Sequence, residues 1–275
     1  MRHTRKVTKI RFGKKDGLLT AFIEKSELNQ LDPFVLWDHF AASEVIHSTG
    51  LDYHGHSGVD ALSYPVIGKM RHHDSAGCHT TLASGDLQIM TAGSGIIHKD
   101  IMTPNNGQVE SFSLWTALPA GQKEMTKPES CYFHAQDLPI IEEHDSTTKV
   151  IVGTYQAHSS PAHCSVPLTY LDIMLAPFGV WFYTPDTEQT SGFVFIRSGS
   201  IYVAGSQLFS RQMATLEKAA LPIEVRTGKV GAQFFVVLGK PLHQPFYASP
   251  NSIHSSQENL SKAEQNILQL MATRK

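Results

Sequence analysis

Gly85-Asp86-Leu87-Gln88-Ile89-Met90-Thr91-Ala92-Gly93-Ser94-Gly95-Ile96-Ile97-His98-Lys99-Asp100 reads as a strand, a glycine-rich turn and a second strand. The apolar run 87–92 is bounded by Gly85-Asp86 and by Gly93-Ser94-Gly95, which punctuate a chain that must turn. In the second strand residues two apart share a face. His98 and Asp100 therefore point one way and Lys99 the other. An imidazole and a carboxylate side by side are half of a metal site.

The other half stands upstream, at His54-Gly55-His56. The same period puts both imidazoles on one face, and the glycine leaves little on the other. If the two segments face each other, three imidazoles and one carboxylate converge. That donor set suits a divalent transition metal and leaves coordination positions open. Asp60 follows His56 by four residues, which in an extended segment returns it to the same face.

Outward from these pairs the pattern repeats. Short apolar runs separated by Gly, Pro, Asp and Asn predict strands at 18–24, 35–40, 61–69, 77–82, 87–92, 110–118 and 150–154. Others are predicted at 168–175, 179–184, 192–197, 200–203, 213–216, 223–227 and 233–239. Many short strands at regular spacing indicate an all-β sandwich or barrel. The polar stretches 120–128 and 141–148 read as loop. They divide the chain near residue 140, into 1–140 with the metal-binding pairs and 141–275 without an HxH pair. Gly199-Ser200 and Gly205-Ser206 punctuate the second half much as the glycines punctuate the first, so a duplicated barrel is expected. Helical periodicity is confined to the end, where Asn259 or Ser261 would cap a helix striped by Leu260, Ile267, Leu268 and Met271.

Composition excludes several functions. The net charge of -2 comes from scattered charges of both signs, with no basic stripe for nucleic acid. No apolar run approaches membrane-spanning length, and the basic N-terminus is not followed by the apolar core of a signal peptide. A cytoplasmic location is expected. Three dispersed cysteines, Cys78, Cys131 and Cys164, offer neither a disulfide framework nor a CxxC site and read as reduced. His72-His73-Asp74 reads as an exposed hairpin, Trp181 as core, and Trp115, near a barrel mouth, as either core or a substrate platform. Ser113 has no visible base partner, and Gly93-Ser94-Gly95 lacks the helix of a dinucleotide loop.

The stretch 85–100 resembles the pirin family of bicupins, whose members read GDVQWMTAGxGIxHSE there and HPHRGFE at the first pair. Asp32-Pro33-Phe34, Leu114-Trp115 with Leu118-Pro119, and Leu238-Gly239-Lys240-Pro241-Leu242 look like further segments of that family. The resemblance implies two tandem cupin, jelly-roll-like β-barrels with a short C-terminal helix, the first binding metal and the second without metal. It implies His54, His56, His98 and Asp100 as ligands, with Asp60, at the position where other cupins carry their acid ligand, as the alternate fourth. The metal would be Fe(II), although zinc, manganese, nickel and copper suit the same donors. It implies a quercetin 2,3-dioxygenase-type oxidoreductase acting on small aromatic, flavonol-like substrates, with Asp60 or Glu110 as base. The alternatives are a non-catalytic metal-dependent regulator binding a protein partner, a transcription factor or metabolic enzyme, and a closed structural zinc site.

This chain departs from the family in several places. Asp100 replaces a glutamate and is one methylene shorter. Ser57 and Val59 stand where the family has arginine and an aromatic, and Glu110-Ser111-Phe112-Ser113 where it often has His-Gly-x-Gln. The tail from Tyr247 to Ser256 also differs in wording.

Overall fold

A computed structural model describes residues 3–121 and 123–274. The chain divides into two compact units, and each collects its strands from both sides of the expected cut. One consists of residues 15–135 with 242–275, and the other of residues 1–14 with 136–241. The division expected near residue 140 thus marks one crossing of the chain. The termini are exchanged: the last helix belongs with the first barrel and the first strand with the second.

In the first unit the described residues build a seven-stranded and a four-stranded antiparallel sheet. The larger runs Glu129–Phe133, Leu87–Thr91, Val59–Ile67, Val109–Ala117, Phe34–Ala42, Leu19–Ala21 and Lys14–Asp16. The smaller runs Thr49–His56, Ile96–Thr103, Lys69–Asp74 and His79–Leu82. The central strands of the larger sheet are buried on both faces, as the near-continuous burial along Leu87–Thr91 and Val59–Ile67 shows. Gly93, with φ 49°, takes the turn before Ile96–Thr103, where a Cβ would collide with the Thr126 carbonyl. A side chain there would need both the strained left-handed backbone and a displaced loop.

The helix Gln257–Thr273 begins one turn earlier than its apolar stripe suggests. Its N-cap is Ser256, whose Oγ accepts from the Asn259 amide at 3.2 Å. Neither Asn259 nor Ser261 caps it. Leu260 and Ala263 are its buried residues, whereas Leu268 and Met271 are exposed. Gly55 faces this helix, and a Cβ at that position would run into Ile267 Cγ2. The glycine between the two histidines therefore serves close helix packing.

The second unit repeats the plan. Its larger sheet orders Val7–Arg11, Met213–Leu216, Ser191–Ser198, Ala232–Gly239, Leu168–Leu175, Ser146–Val152 and Ile140–Glu142. Val180–Tyr183, Ile223–Thr227, Ser200–Val203 and Ser206–Phe209 form the smaller one. Much of the stretch 141–148, expected as loop, is strand. Thr148 and Val150 are buried, and the Trp181 indole donates to Thr148 Oγ1 at 3.1 Å. Leu171, Ile173, Trp181, Val194, Ile196, Phe234 and Val236 fill the interior. Fully buried Arg5 ties the N-terminal strand to this unit by donating to the carbonyls of Glu217 and Thr190, at 2.8 and 2.5 Å. The cysteines are free, and no helix of the described residues is long and apolar enough to cross a membrane.

Candidate metal centre

The four-stranded sheet of the first unit brings the two sequence pairs together. His98 stands directly opposite His54 in the antiparallel ladder. The imidazole centroids of His54, His56 and His98 lie 4.3 to 4.9 Å apart. One ligating atom from each falls within 4.8 Å of the others. Between His98 and Asp100 the register slips, so Asp100 faces Leu51. Such a bulge re-aims side chains at a sheet position without breaking the sheet.

Two of the rings have their tautomer fixed by carbonyls. His54 Nδ1 donates to Asp52 O at 2.8 Å and His56 Nδ1 to Asn251 O at 3.0 Å. Each ring is left with Nε2 as its lone-pair nitrogen. His56 Nε2 and both ring nitrogens of His98 are buried without a hydrogen-bond partner. Buried polar atoms are seldom left so, and a metal ion is one partner that would satisfy them. Burial, then the neighbouring imidazoles, lower the pKa of His54 and depress that of His56 further. Both rings are thus neutral and able to ligate.

Asp100 is held differently. Its Oδ1 accepts from His72 Nδ1 at 2.7 Å, and its Oδ2 lies 3.2 Å from His98 Nδ1 without hydrogen-bond geometry. Burial would raise this carboxyl, but His72 and His98 outweigh it and hold it far below the carboxylate range. His72, His98 and Asp100 form a second group that could hold a metal, sharing His98 with the first, and His72, Asp74 and Cys78 form a third. The segment His72-His73-Asp74, expected as an exposed hairpin, is a strand end with His72 and Asp74 buried. Asp74 accepts from the backbone amides of Ala76 and Cys78 and from Ser130 Oγ. Burial opposes charging His72, yet Asp100 and Asp74 on its two sides lift its pKa to about 9.

The structure does not bring Asp60 or Glu110 to this cluster. The chain turns at Gly58, φ 70°, and enters the other sheet, so strand parity does not carry from His56 to Asp60. Asp60 is fully buried and accepts from Thr91 Oγ1 at 2.7 Å. Glu110 pairs with His39 at 2.9 Å, and their strand neighbours Ser111 and Asp38 point to the opposite face.

A cavity of about 110 Å³ lies between the histidines and the larger sheet. The strand register sets two rows of side chains across that sheet. One is Met90, Ala61, Trp115 and Leu36, and the next is Gln88, Ser63, Ser113 and Asp38. Both rows line the cavity. Trp115 therefore belongs to the site, edge-on to His56 with centroids 4.4 Å apart. Sequence reading missed His72, Asp38 and Gln88. A signal for the last two was present, since each is a polar residue of inward parity within an apolar strand.

Two tandem barrels with an inward-facing histidine cluster in one of them define a bicupin. Comparison with known proteins narrows the class. The Pirin profile matches residues 16–116 and the Pirin C-terminal cupin domain profile matches residues 170–267. Pirin-1 of Arabidopsis thaliana is 30% identical over 88% of this chain and 83% of its own. The chain belongs to the pirin family. Among solved structures, quercetin 2,3-dioxygenase from Acinetobacter baumannii superimposes with a TM-score of 0.87 at 24% identity, covering 98% of this chain and 99% of that one. The bacterial pirin YhhW of Escherichia coli, in complex with nickel(II), gives a TM-score of 0.65 at 14% identity, over 88% and 100%.

Proposed function

We propose that the first unit is a mononuclear metal centre and that, loaded with Fe(II), the protein is a dioxygenase acting on flavonol-like aromatic compounds. The observation that carries this reading is the trio of inward imidazoles, two of them with buried and unpartnered Nε2 atoms, on the wall of a half-apolar cavity. His54, His56 and His98 would hold the metal and Asp100 would supply the carboxylate. A metal so held supplies Lewis acidity and access to dioxygen.

The chain's own residues do the rest. Asp52 O and Asn251 O fix the imidazole orientations, as hydrogen-bond partners of ligating histidines commonly do. His72 holds Asp100 ionised. Trp115, Met90 and Leu36 exclude water and offer an apolar wall to an aromatic ring. Ligand pockets usually span about 300–1,000 Å³, so a cavity of 110 Å³ admits one end of a flavonol. The remainder would project past Leu51, which also lines the cavity and is 62% exposed.

The donor set suits nickel, manganese, copper and zinc as well as iron. The test is metal analysis of protein purified without added metal, followed by flavonol absorbance and oxygen uptake after loading. Metal-dependent loss of the flavonol band with matching oxygen consumption supports the reading. A fully occupied site without turnover defeats it.

A further inference from the structure

The polar row of the cavity is not needed to hold a metal. Gln88, Ser63, Ser113 and Asp38 sit on four neighbouring strands, each opposite the next. Gln88 is 1% exposed, and neither its Nε2 nor its Oε1 has a hydrogen-bond partner. Asp38, 9% exposed, lines the same cavity. Glu110 and His39, the ion pair nearest in register, lie on the opposite face of the sheet. The adjacent apolar row shows that this sheet can present hydrocarbon here, so the polar row is a distinct feature of the wall.

We infer that this row is a specificity subsite, in which Gln88 and Asp38 recognise a vicinal dihydroxy edge on the aromatic ligand. The inference rests on the proposed function and names the chemistry of the end of the ligand that enters the cavity. A primary amide offers a donor and an acceptor side by side. Two adjacent aromatic hydroxyls present the complementary pair, one oxygen accepting from Nε2–H and one O–H donating to Oε1. Asp38 supplies a further acceptor for an O–H, and Ser63 and Ser113 can donate or accept between them. Burial raises the Asp38 carboxyl to about 7, so this wall does not set a firmly fixed charge against a neutral phenol. A site built with paired polar groups discriminates strongly against an analogue that lacks the matching hydroxyls, because the buried groups are then left unpaired.

The test compares binding, without turnover, of quercetin and galangin to the anaerobic metal-loaded protein, read by quenching of tryptophan fluorescence. Galangin differs from quercetin only in lacking the vicinal hydroxyl pair. Wild type is expected to bind quercetin at least tenfold more tightly. Gln88→Leu and Asp38→Asn should each cut that preference to about threefold or less, through weaker quercetin binding, tighter galangin binding or both. Gln88→Glu, which keeps the size and loses the amide donor, should behave likewise and covers the case in which the leucine variant misfolds. Gln88→Leu should also melt no lower than wild type without ligand, because the amide makes no bond inside the protein. A preference that survives in the variants, or a wild type that binds both flavonols equally, overturns the subsite and leaves the proposed function standing. Failure of the loaded protein to bind either flavonol overturns the proposed substrate class, and this subsite with it.

Discussion

Replacing Glu124 by alanine probes how the end of the chain is fastened to the first unit. Glu124 is fully buried, and its two oxygens accept from Ser255 N at 2.7 Å, Ser255 Oγ at 2.6 Å and Asn259 Nδ2 at 2.7 Å. His254 Nδ1 lies 3.4 Å away, while its Nε2 meets Ser57 Oγ at 2.9 Å. One carboxylate thus gathers the residues on both sides of the Ser256 cap. Each buried donor left unpaired costs about 1–3 kcal/mol. The Ser255 hydroxyl can rotate away and part of the segment can meet water, so the expected loss is roughly 3–5 kcal/mol. At about 2–4 °C per kcal/mol for a unit of this size, melting should fall by roughly 6–20 °C in scanning calorimetry. The same segment supplies Asn251 O to His56, and loss of an outer partner typically costs a ligand site about 10–100-fold in metal affinity. A melting drop below about 3 °C, or metal affinity unchanged in a destabilised variant, would refute this account of the tail.

Other outcomes follow from the same geometry. Burial would raise the Glu124 carboxyl, but the bonds from Ser255 and Asn259 hold it below its ordinary 4.5. Its contribution is therefore present above 4.5 and fades as pH falls through the lower folded value, so urea melts should show wild type losing its advantage over Glu124→Gln as pH falls below 4.5. Gly55→Ala should cost about 1–3 kcal/mol by overpacking, and Ile267→Ala in the same chain should recover part of that loss, since the two positions collide directly. His98→Ala removes the histidine shared by two of the three groups that could hold a metal. Elemental analysis should find its bound metal reduced at least tenfold, whereas His73→Ala, on the other face of its strand, should retain full occupancy.

What could be read from the sequence was whatever repeats locally. The strands at 87–92 and 96–100 and the shared face of His54 and His56 follow from a period of two and from turn glycines. Parity fails wherever the chain changes sheets, and Asp60 is the case in point: a single glycine at 58 moves it from the histidine face to a bond with Thr91. His72 looked like a hairpin because polar residues near a turn usually face water. Only the partner strand, which puts Asp100 opposite His72, shows why it is buried. The fastening by Asn251 was invisible for a different reason, since a backbone carbonyl leaves no mark in the sequence. His254 and Ser57 are separated by 197 positions, and no local pattern links them.

The exchange of termini bears on how the protein is made. Residues 15–135, which carry His54, His56 and His98, leave the ribosome well before residues 242–275 that close their unit, with 136–241 synthesised in between. Contacts of such long sequence separation form slowly, and the carbonyl that orients His56 lies 195 residues beyond that histidine. The nascent barrel stays unfastened while residues 136–241 are made. Metal binding that depends on this carbonyl would then need residues 242–275, and a fragment cut at residue 140 should bind metal more weakly than the chain that includes them.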